Sequence, residues 1–108
     1  MRRYDVIWTE EAVQDLEGIA RYIARDSPGN ARRVMKRLRD RADSLWSLPE
    51  RGRVVPELLD LGLRDWRELI VRPFRIVYRI SENSVLVEVI FDGRRDAESL
   101  LADRLLRR

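Results

Sequence analysis

The sequence contains no cysteine and no histidine. Without cysteine there is no disulfide framework, so the protein needs no oxidising compartment. Without either residue a structural zinc, iron–sulfur or haem site is not expected, and we predict no metal and no cofactor. Ser–His–Asp and Cys–His catalysis are excluded. Any acid–base chemistry near neutral pH would lack its usual residue.

Long apolar runs are also missing. No stretch approaches the roughly 20 apolar residues of a membrane-spanning helix. The opening residues Met1–Asp5 do not lead into the apolar run of a signal peptide. We therefore expect a cytoplasmic protein with no membrane partner. The 108 residues are 44% hydrophobic and 38% charged, and their number predicts a single domain over residues 1–108.

Basic residues exceed acidic residues, and the excess is uneven along the chain. There are 22 Lys and Arg residues against 19 Asp and Glu residues, which gives a net charge of +3. Residues 31–41 alone hold six basic residues and one acidic residue. Such a run favours an acidic partner, either nucleic acid or an acidic protein segment, but a solvated helix face would show the same pattern.

The spacing of apolar residues predicts the order of the elements. Tyr4–Trp8 alternates as a strand does, and Thr9 is placed to cap the helix that follows. A break at Ser27-Pro28-Gly29-Asn30 separates this helix from a second one, which Pro49 ends. An apolar loop over residues 49–65 is expected to pack on the core. Three strands and a last helix follow: Trp66–Val71, Phe74–Ile80, Val85–Phe91 and residues 96–106.

The predicted fold class is therefore α+β, in the order β-α-α-β-β-β-α. We expect an antiparallel sheet with an N-terminal helical hairpin packed on one face. The apolar stripes of the two helices place four side chains between the hairpin and the sheet: Leu16, Ile19, Leu38 and Leu45.

Arginines dominate the predicted polar face of the sheet. Arg75 and Arg79 point the same way on the middle strand, and Arg72, Arg94 and Arg95 lie at strand ends or just beyond them. Arginine suits bidentate contacts to phosphate or carboxylate groups, so this face is the main candidate site. The alternative is that these arginines form ion pairs with Glu68 and Glu88 on neighbouring strands.

An ordered set of short motifs resembles the ParE/RelE superfamily of toxin–antitoxin toxins, and the ParE branch fits best. The match covers nearly the whole chain. Its motifs are Tyr4-Asp5-Val6-Ile7-Trp8-Thr9, Ala12, Asp15-Leu16, Ile19, Tyr22-Ile23, Pro49, Gly52-Arg53, Val55-Pro56-Glu57-Leu58, Arg67-Glu68-Leu69-Ile70, Phe74-Arg75-Ile76-Val77-Tyr78-Arg79-Ile80 and Gly93-Arg94-Arg95-Asp96.

The resemblance implies a bacterial toxin that a ParD-like antitoxin neutralises in a hetero-oligomer. ParE toxins poison DNA gyrase, whereas RelE toxins cleave messenger RNA in the ribosome. Arg75 and Arg95 match arginines of the RelE nucleases, and they would be the catalytic residues if this chain were a nuclease. This chain departs from the RelE nucleases at Leu101, where they carry a tyrosine, and at Asp92, where many relatives carry histidine. It also departs from them in residues 49–65, which lack lysine.

These departures favour a gyrase poison with no catalytic residues, and a RelE-like endoribonuclease is the alternative. No group here is obviously able to deprotonate a 2′-hydroxyl, although arginines could stabilise the charged phosphorane. The five arginines of the polar face are then expected to bind the target. The antitoxin is expected on the basic and apolar surface around the hairpin and the following loop, at Arg32, Arg33, Arg37, Leu58 and Leu59.

Overall fold

The computed structural model describes residues 2–106. Strand β1 spans Asp5–Trp8 and helix α1 spans Glu10–Ala24. Thr9 caps this helix as predicted, because its Oγ1 accepts a hydrogen bond of 3.1 Å from the Ala12 amide. None of the described helices is both long and apolar enough to cross a membrane.

Helix α2 spans Pro28–Asp43 and completes the predicted hairpin. Its first turn contains Pro28, whose missing N–H would have had no partner there, and the Ser27 hydroxyl caps it by accepting from the Asn30 amide at 3.2 Å. Two 3₁₀ turns, Ser44–Trp46 and Pro49–Arg51, carry the chain from α2 to the sheet.

The segment predicted as a loop contains two short elements. A two-residue strand, β2, spans Arg53–Val54, and a one-turn helix, α3, spans Pro56–Leu59. The buried Tyr78 hydroxyl fixes the start of this segment by donating to the Pro49 carbonyl at 2.5 Å and accepting from the Gly52 amide at 3.1 Å. The segment packs down on the core as predicted, with Leu58 buried.

Five strands form one sheet in the order β1-β5-β4-β3-β2, where β3 is Trp66–Val71, β4 is Phe74–Ser81 and β5 is Ser84–Asp92. The last three strands and their hairpin turns were predicted within one residue. The sheet is not wholly antiparallel, because β1 runs parallel to β5. The helical hairpin that follows β1 carries the chain back to the end of the sheet where β1 starts. This return permits a parallel pair between β1 and β5.

The helical hairpin covers one face of the sheet and forms the larger core. Leu16, Leu38 and Leu45 are buried there as predicted, and Ile19 is partly buried against them. The sheet contributes the inward side chains of β3, β4 and β5, among them Leu69, Val71, Ile76, Tyr78, Val85 and Val87. The helical hairpin thus packs on one face of the sheet, as the apolar periodicity predicts.

The opposite face of the sheet is also covered, which corrects the expectation of an open polar face. Helix α3 and the C-terminal helix α4, Ala97–Leu101, pack over it and form a second core. Its members are Val55, Leu58, Val77, Val89, Phe91, Ala97 and Leu101. Valines and a phenylalanine share this face with the arginines, and their apolar surface is what the two short helices bury.

A π-helical turn, Ala102–Leu106, continues α4 and is tied to α1. Arg104 forms a bidentate ion pair with Asp15, at 2.9 and 3.1 Å, and also donates to the Glu88 carbonyl at 3.0 Å. Asp15 in turn accepts from the Ile90 amide at 2.9 Å. These contacts satisfy backbone groups of β5 where β1 no longer pairs with it.

Candidate functional site

The five arginines of the predicted target surface have very different surroundings. Arg75 is 7% exposed. Its Nε donates to Glu68 Oε1 at 2.6 Å, and its two Nη atoms donate to Glu57 at 3.0 and 2.6 Å. The guanidinium also lies 5.1 Å from the centre of the Phe91 ring. The expectation that Arg75 faces a partner is therefore wrong, because two carboxylates and a ring enclose its charged group.

Glu68 links Arg75 to a second arginine. It is 1% exposed, and its other oxygen accepts from Arg53 Nε at 2.7 Å. Burial alone would lower the pKa of Arg75, but the hydrogen bonds that it donates to Glu57 and Glu68 raise the pKa above its ordinary value. The Arg75 hydrogen bond lowers the pKa of Glu57 against the opposing effect of burial. The ion pairs of these four residues hold α3, β2, β3 and β4 together.

Arg79 forms an ion pair with a neighbouring strand, which is the alternative that the sequence left open. Its Nε donates to Glu88 Oε2 at 2.9 Å, and the Trp66 indole donates to the same oxygen at 2.9 Å. The Arg79 side chain is still 39% exposed, so it can meet a partner from within this cluster. Ion pairing with Glu68 and Glu88 is therefore confirmed for Arg75 and for Arg79.

Arg72, Arg94 and Arg95 come together at one end of the sheet. The turn after β3 and the turn after β5 are joined by a 2.7 Å hydrogen bond from the Gly93 amide to the Pro73 carbonyl. A side chain at Gly93 would be tightly packed, since its Cβ would lie 3.0 Å from Arg75 Cδ and 3.2 Å from the Pro73 oxygen. The buried stem of Arg75 thus supports the turn that presents Arg94 and Arg95.

These three exposed arginines differ in their partners. Arg94 forms a two-point ion pair with Asp92, at 2.9 and 2.5 Å, which lowers the pKa of Asp92 despite some burial and raises that of Arg94. Within residues 2–106, neither Arg72 nor Arg95 forms an ion pair. Their charges are available to a partner.

The residues predicted to contact an antitoxin divide in the same way. Arg32, Arg33 and Arg37 are exposed on α2, and Leu59 is 37% exposed on α3. Leu58 is 1% exposed and belongs to the second core. The expectation for Leu58 is therefore wrong, because α3 turns this side chain toward Val77 and Phe91.

Two features of the surface had not been identified from the sequence. A groove between α1 and α2 has an apolar floor and charged ends, and it is lined by Trp8, Val13, Leu16, Glu17, Met35, Arg39 and Asp43. Tyr22 is 71% exposed and lies near Arg94, whose pKa it helps to raise after the larger effect of Asp92. The helical spacing of Tyr22 resembled a core position, so only its lack of a packing partner distinguishes it.

Comparison with known proteins places most of the chain in one family. The family model described as "ParE toxin of type II toxin-antitoxin system, parDE" matches residues 6–97. The protein named Toxin RelE2 of Caulobacter vibrioides is 41% identical over 81 residues, which are 74% of this chain and 84% of that protein.

Solved structures show the same fold. A chain of the chromosomal ParDE system from P. aeruginosa superimposes with a TM-score of 0.70 at 19% identity, covering 83% of this chain and 96% of that one. A chain of the RelBE2 toxin–antitoxin complex from Mycobacterium tuberculosis gives a TM-score of 0.63 at 21% identity, covering 85% and 93%.

Proposed function

This chain belongs to the ParE toxin family of type II toxin–antitoxin systems, and from that premise we propose that it inhibits DNA gyrase. In this proposal it acts in the cytoplasm when a cognate ParD-like antitoxin is lacking, and it does so by binding and not by cutting RNA. The finer choice of gyrase over the ribosome depends on the chemistry of its arginines.

The burial of Arg75 is the observation that supports this choice. A nuclease mechanism would need Arg75 and Arg95 at the same phosphate, where they would stabilise charge that develops in the transition state. Arg75 instead directs three of its five N–H donors at Glu57 and Glu68, and it is 7% exposed. Freeing it would leave the buried Glu68 with only Arg53 as a partner, at a cost of several kcal/mol.

The remaining arginines form the target surface in this proposal. Arg72 and Arg95 present unpaired guanidinium groups, while Arg94 and Arg79 present charges already held by Asp92 and Glu88. Binding energy at a protein interface is concentrated in a few anchors. We therefore expect Arg95 and Arg72 to contribute more than Arg94 and Arg79.

The antitoxin is proposed to cover the hairpin. An acidic amphipathic segment that folds on binding would place apolar side chains in the α1–α2 groove and carboxylates near Arg32, Arg33 and Arg37. Leu59 extends this surface onto α3. The three arginines would steer association more than they add affinity, so reversing their charges should slow binding at low salt.

Expression without antitoxin tests the choice of target. If gyrase is poisoned, cells should filament and induce the DNA-damage response while bulk messenger RNA stays intact. Arg95→Ala should weaken toxicity only partly, and Arg64→Ala, which changes another exposed arginine two residues before β3, is the matched control. Primer extension on ribosome-bound messages that shows cleavage at the ribosomal A site, without gyrase-linked DNA breaks, would overturn the proposal.

A RelE-like endoribonuclease remains the second candidate. It is favoured by the unpaired Arg95 and by the similarity to a protein named Toxin RelE2. For a nuclease, loss of Arg95 should reduce the rate of message cleavage on the order of 10²–10³-fold, as loss of one transition-state donor typically does.

A further inference from the structure

The arginine surface at the end of the molecule that carries Arg72 and Arg95 extends beyond the residues predicted to bind the target. Helix α2 adds to it, because Arg37 Nη2 approaches the Arg72 carbonyl oxygen at 3.5 Å. Arg33 precedes Arg37 by four residues and therefore lies on the same flank of the helix, with Cβ atoms about 6 Å apart. We define the arginine end as Arg33, Arg37, Arg72 and Arg95, with Arg94 beside them.

The backbone at this end is fixed before any partner binds. The Gly93–Pro73 hydrogen bond of 2.7 Å joins the two turns, and the stem of Arg75 fills the space beneath Gly93. The four arginines that define the arginine end are exposed, and within residues 2–106 none of them forms an ion pair. Asp92, the carboxylate at the end of β5, is already held by Arg94.

The chemistry of this surface favours phosphates. All of its cations are arginines, whose planar guanidinium groups bind phosphate oxygens in pairs, and the single lysine of the chain, Lys36, is paired with Asp40 at 2.7 Å. The arginine end offers these cations on three separate segments of the chain, and contacts from several segments are how proteins follow a phosphate backbone.

We propose that the arginine end binds the phosphate backbone of duplex DNA without regard to sequence. Recognition of single strands relies on aromatic rings that stack on successive bases. Within residues 2–106, Tyr22 is the one exposed aromatic side chain near Arg94, and one ring is too few for such a platform. This inference rests on the proposed function only for its biological relevance, because a gyrase poison acts on gyrase that is bound to DNA. It adds that the toxin itself contacts the DNA.

Fluorescence anisotropy with purified toxin and a labelled 20-base-pair duplex of mixed sequence tests the inference. Binding should weaken as salt rises, with a slope of log affinity against log salt near −0.9 for each phosphate contacted. The variant Arg37→Gln/Arg72→Gln/Arg95→Gln should bind on the order of tenfold less tightly and lose about 0.9 of slope for each arginine removed.

The matched control removes the same charge elsewhere. Arg32→Gln/Arg39→Gln/Arg64→Gln changes two arginines on the α1 side of α2 and one at the opposite end of β3, and it should keep most of the affinity. Equal loss in both triple variants would show a general charge effect and overturn the inference. Circular dichroism melting of each variant checks that it is folded.

Three further arms separate the alternatives. Tighter binding to a single-stranded RNA of equal length, or to a polyglutamate peptide, would overturn duplex DNA as the partner. Gyrase inhibition by a wild-type toxin that shows no binding to naked DNA would overturn this inference and leave the proposed function standing. DNA binding by a toxin that does not affect gyrase would overturn the proposed function and leave this inference standing.

Discussion

Arg75 and Arg95 lie at the same end of the sheet, and their surroundings are opposite. Arg75 is enclosed by Glu57, Glu68 and Phe91, while Arg95 stands in solvent on the turn that the stem of Arg75 supports. What distinguishes them is the supply of nearby carboxylates. An arginine whose charge is fully matched inside the protein stabilises the fold, and one whose charge is unmatched at the surface is left for a partner.

The largest expected effect comes from removing the inner arginine. Arg75→Ala leaves Glu68 buried with only Arg53 as a partner, so it should lower the free energy of unfolding by roughly 3–5 kcal/mol. Arg95→Ala is the matched control and should change it by less than about 0.5 kcal/mol. Urea denaturation measures both. Similar stabilities for the two variants would mean that Arg75 is not held as described.

The apolar face of the sheet gives a reference for this ionic network. Leu38 is fully buried beneath the hairpin, so Leu38→Ala should cost roughly 2–5 kcal/mol through lost packing and a cavity. Leu61→Ala, on a side chain that is 56% exposed, should cost far less. The same urea titrations compare the two, and a fully stable Leu38→Ala protein would contradict the position of α2.

Gly52 tests the attachment of the segment that brings Glu57 to Arg75. A Cβ at Gly52 would lie 2.2 Å from the Tyr78 hydroxyl oxygen and 2.7 Å from the Glu68 carbonyl oxygen, so Gly52→Ala should cost roughly 1–3 kcal/mol. Gly18→Ala, inside α1 with only Arg21 Nη2 at 3.9 Å, should instead stabilise by about 0.5–1 kcal/mol. Thermal melting should therefore shift in opposite directions for the two variants.

Acid should weaken the ion pair between Glu57 and Arg75. The pKa of Glu57 is lowered from its ordinary 4.5, chiefly by the Arg75 hydrogen bond. A carboxylate with a lowered pKa stabilises the fold above 4.5, and that contribution is lost as pH falls through the folded pKa. Unfolding measured from pH 6 downward should show a shallower loss in Glu57→Gln than in the wild type. Parallel pH dependences of stability in Glu57→Gln and the wild type would contradict the Glu57–Arg75 ion pair.

Local pattern was enough to predict most elements but not which arginine is enclosed. Thr9 and Asp96 cap helices where their spacing says they should, and the alternation of β4 fixes which side chains share a face. Glu57 meets Arg75 across 18 residues only because α3 folds over the sheet. The segment around Pro56 carries no periodic signal for so short a helix, so the enclosure of Arg75 by Glu57 could not be foreseen.

The pairing of β1 was unpredictable for a similar reason. Its apolar face, Val6 and Trp8, was identified correctly and packs against the hairpin core. Its neighbour β5 lies far along the chain, and period-two alternation does not state which strand is adjacent or in which direction it runs. The second face was expected to be open, and its valines were not recognised as a surface that α3 and α4 cover.

A plasmid cleavage assay with purified gyrase tests most directly whether the exposed arginines, and not Arg75 at a phosphate, carry the activity. The wild-type toxin should trap gyrase on supercoiled plasmid and yield linear DNA once the protein is digested. Arg95→Ala should yield less of it, and Arg64→Ala should match the wild type. Unchanged plasmid at every toxin concentration, together with cleavage of messages on purified ribosomes by the same preparation, would contradict the proposal.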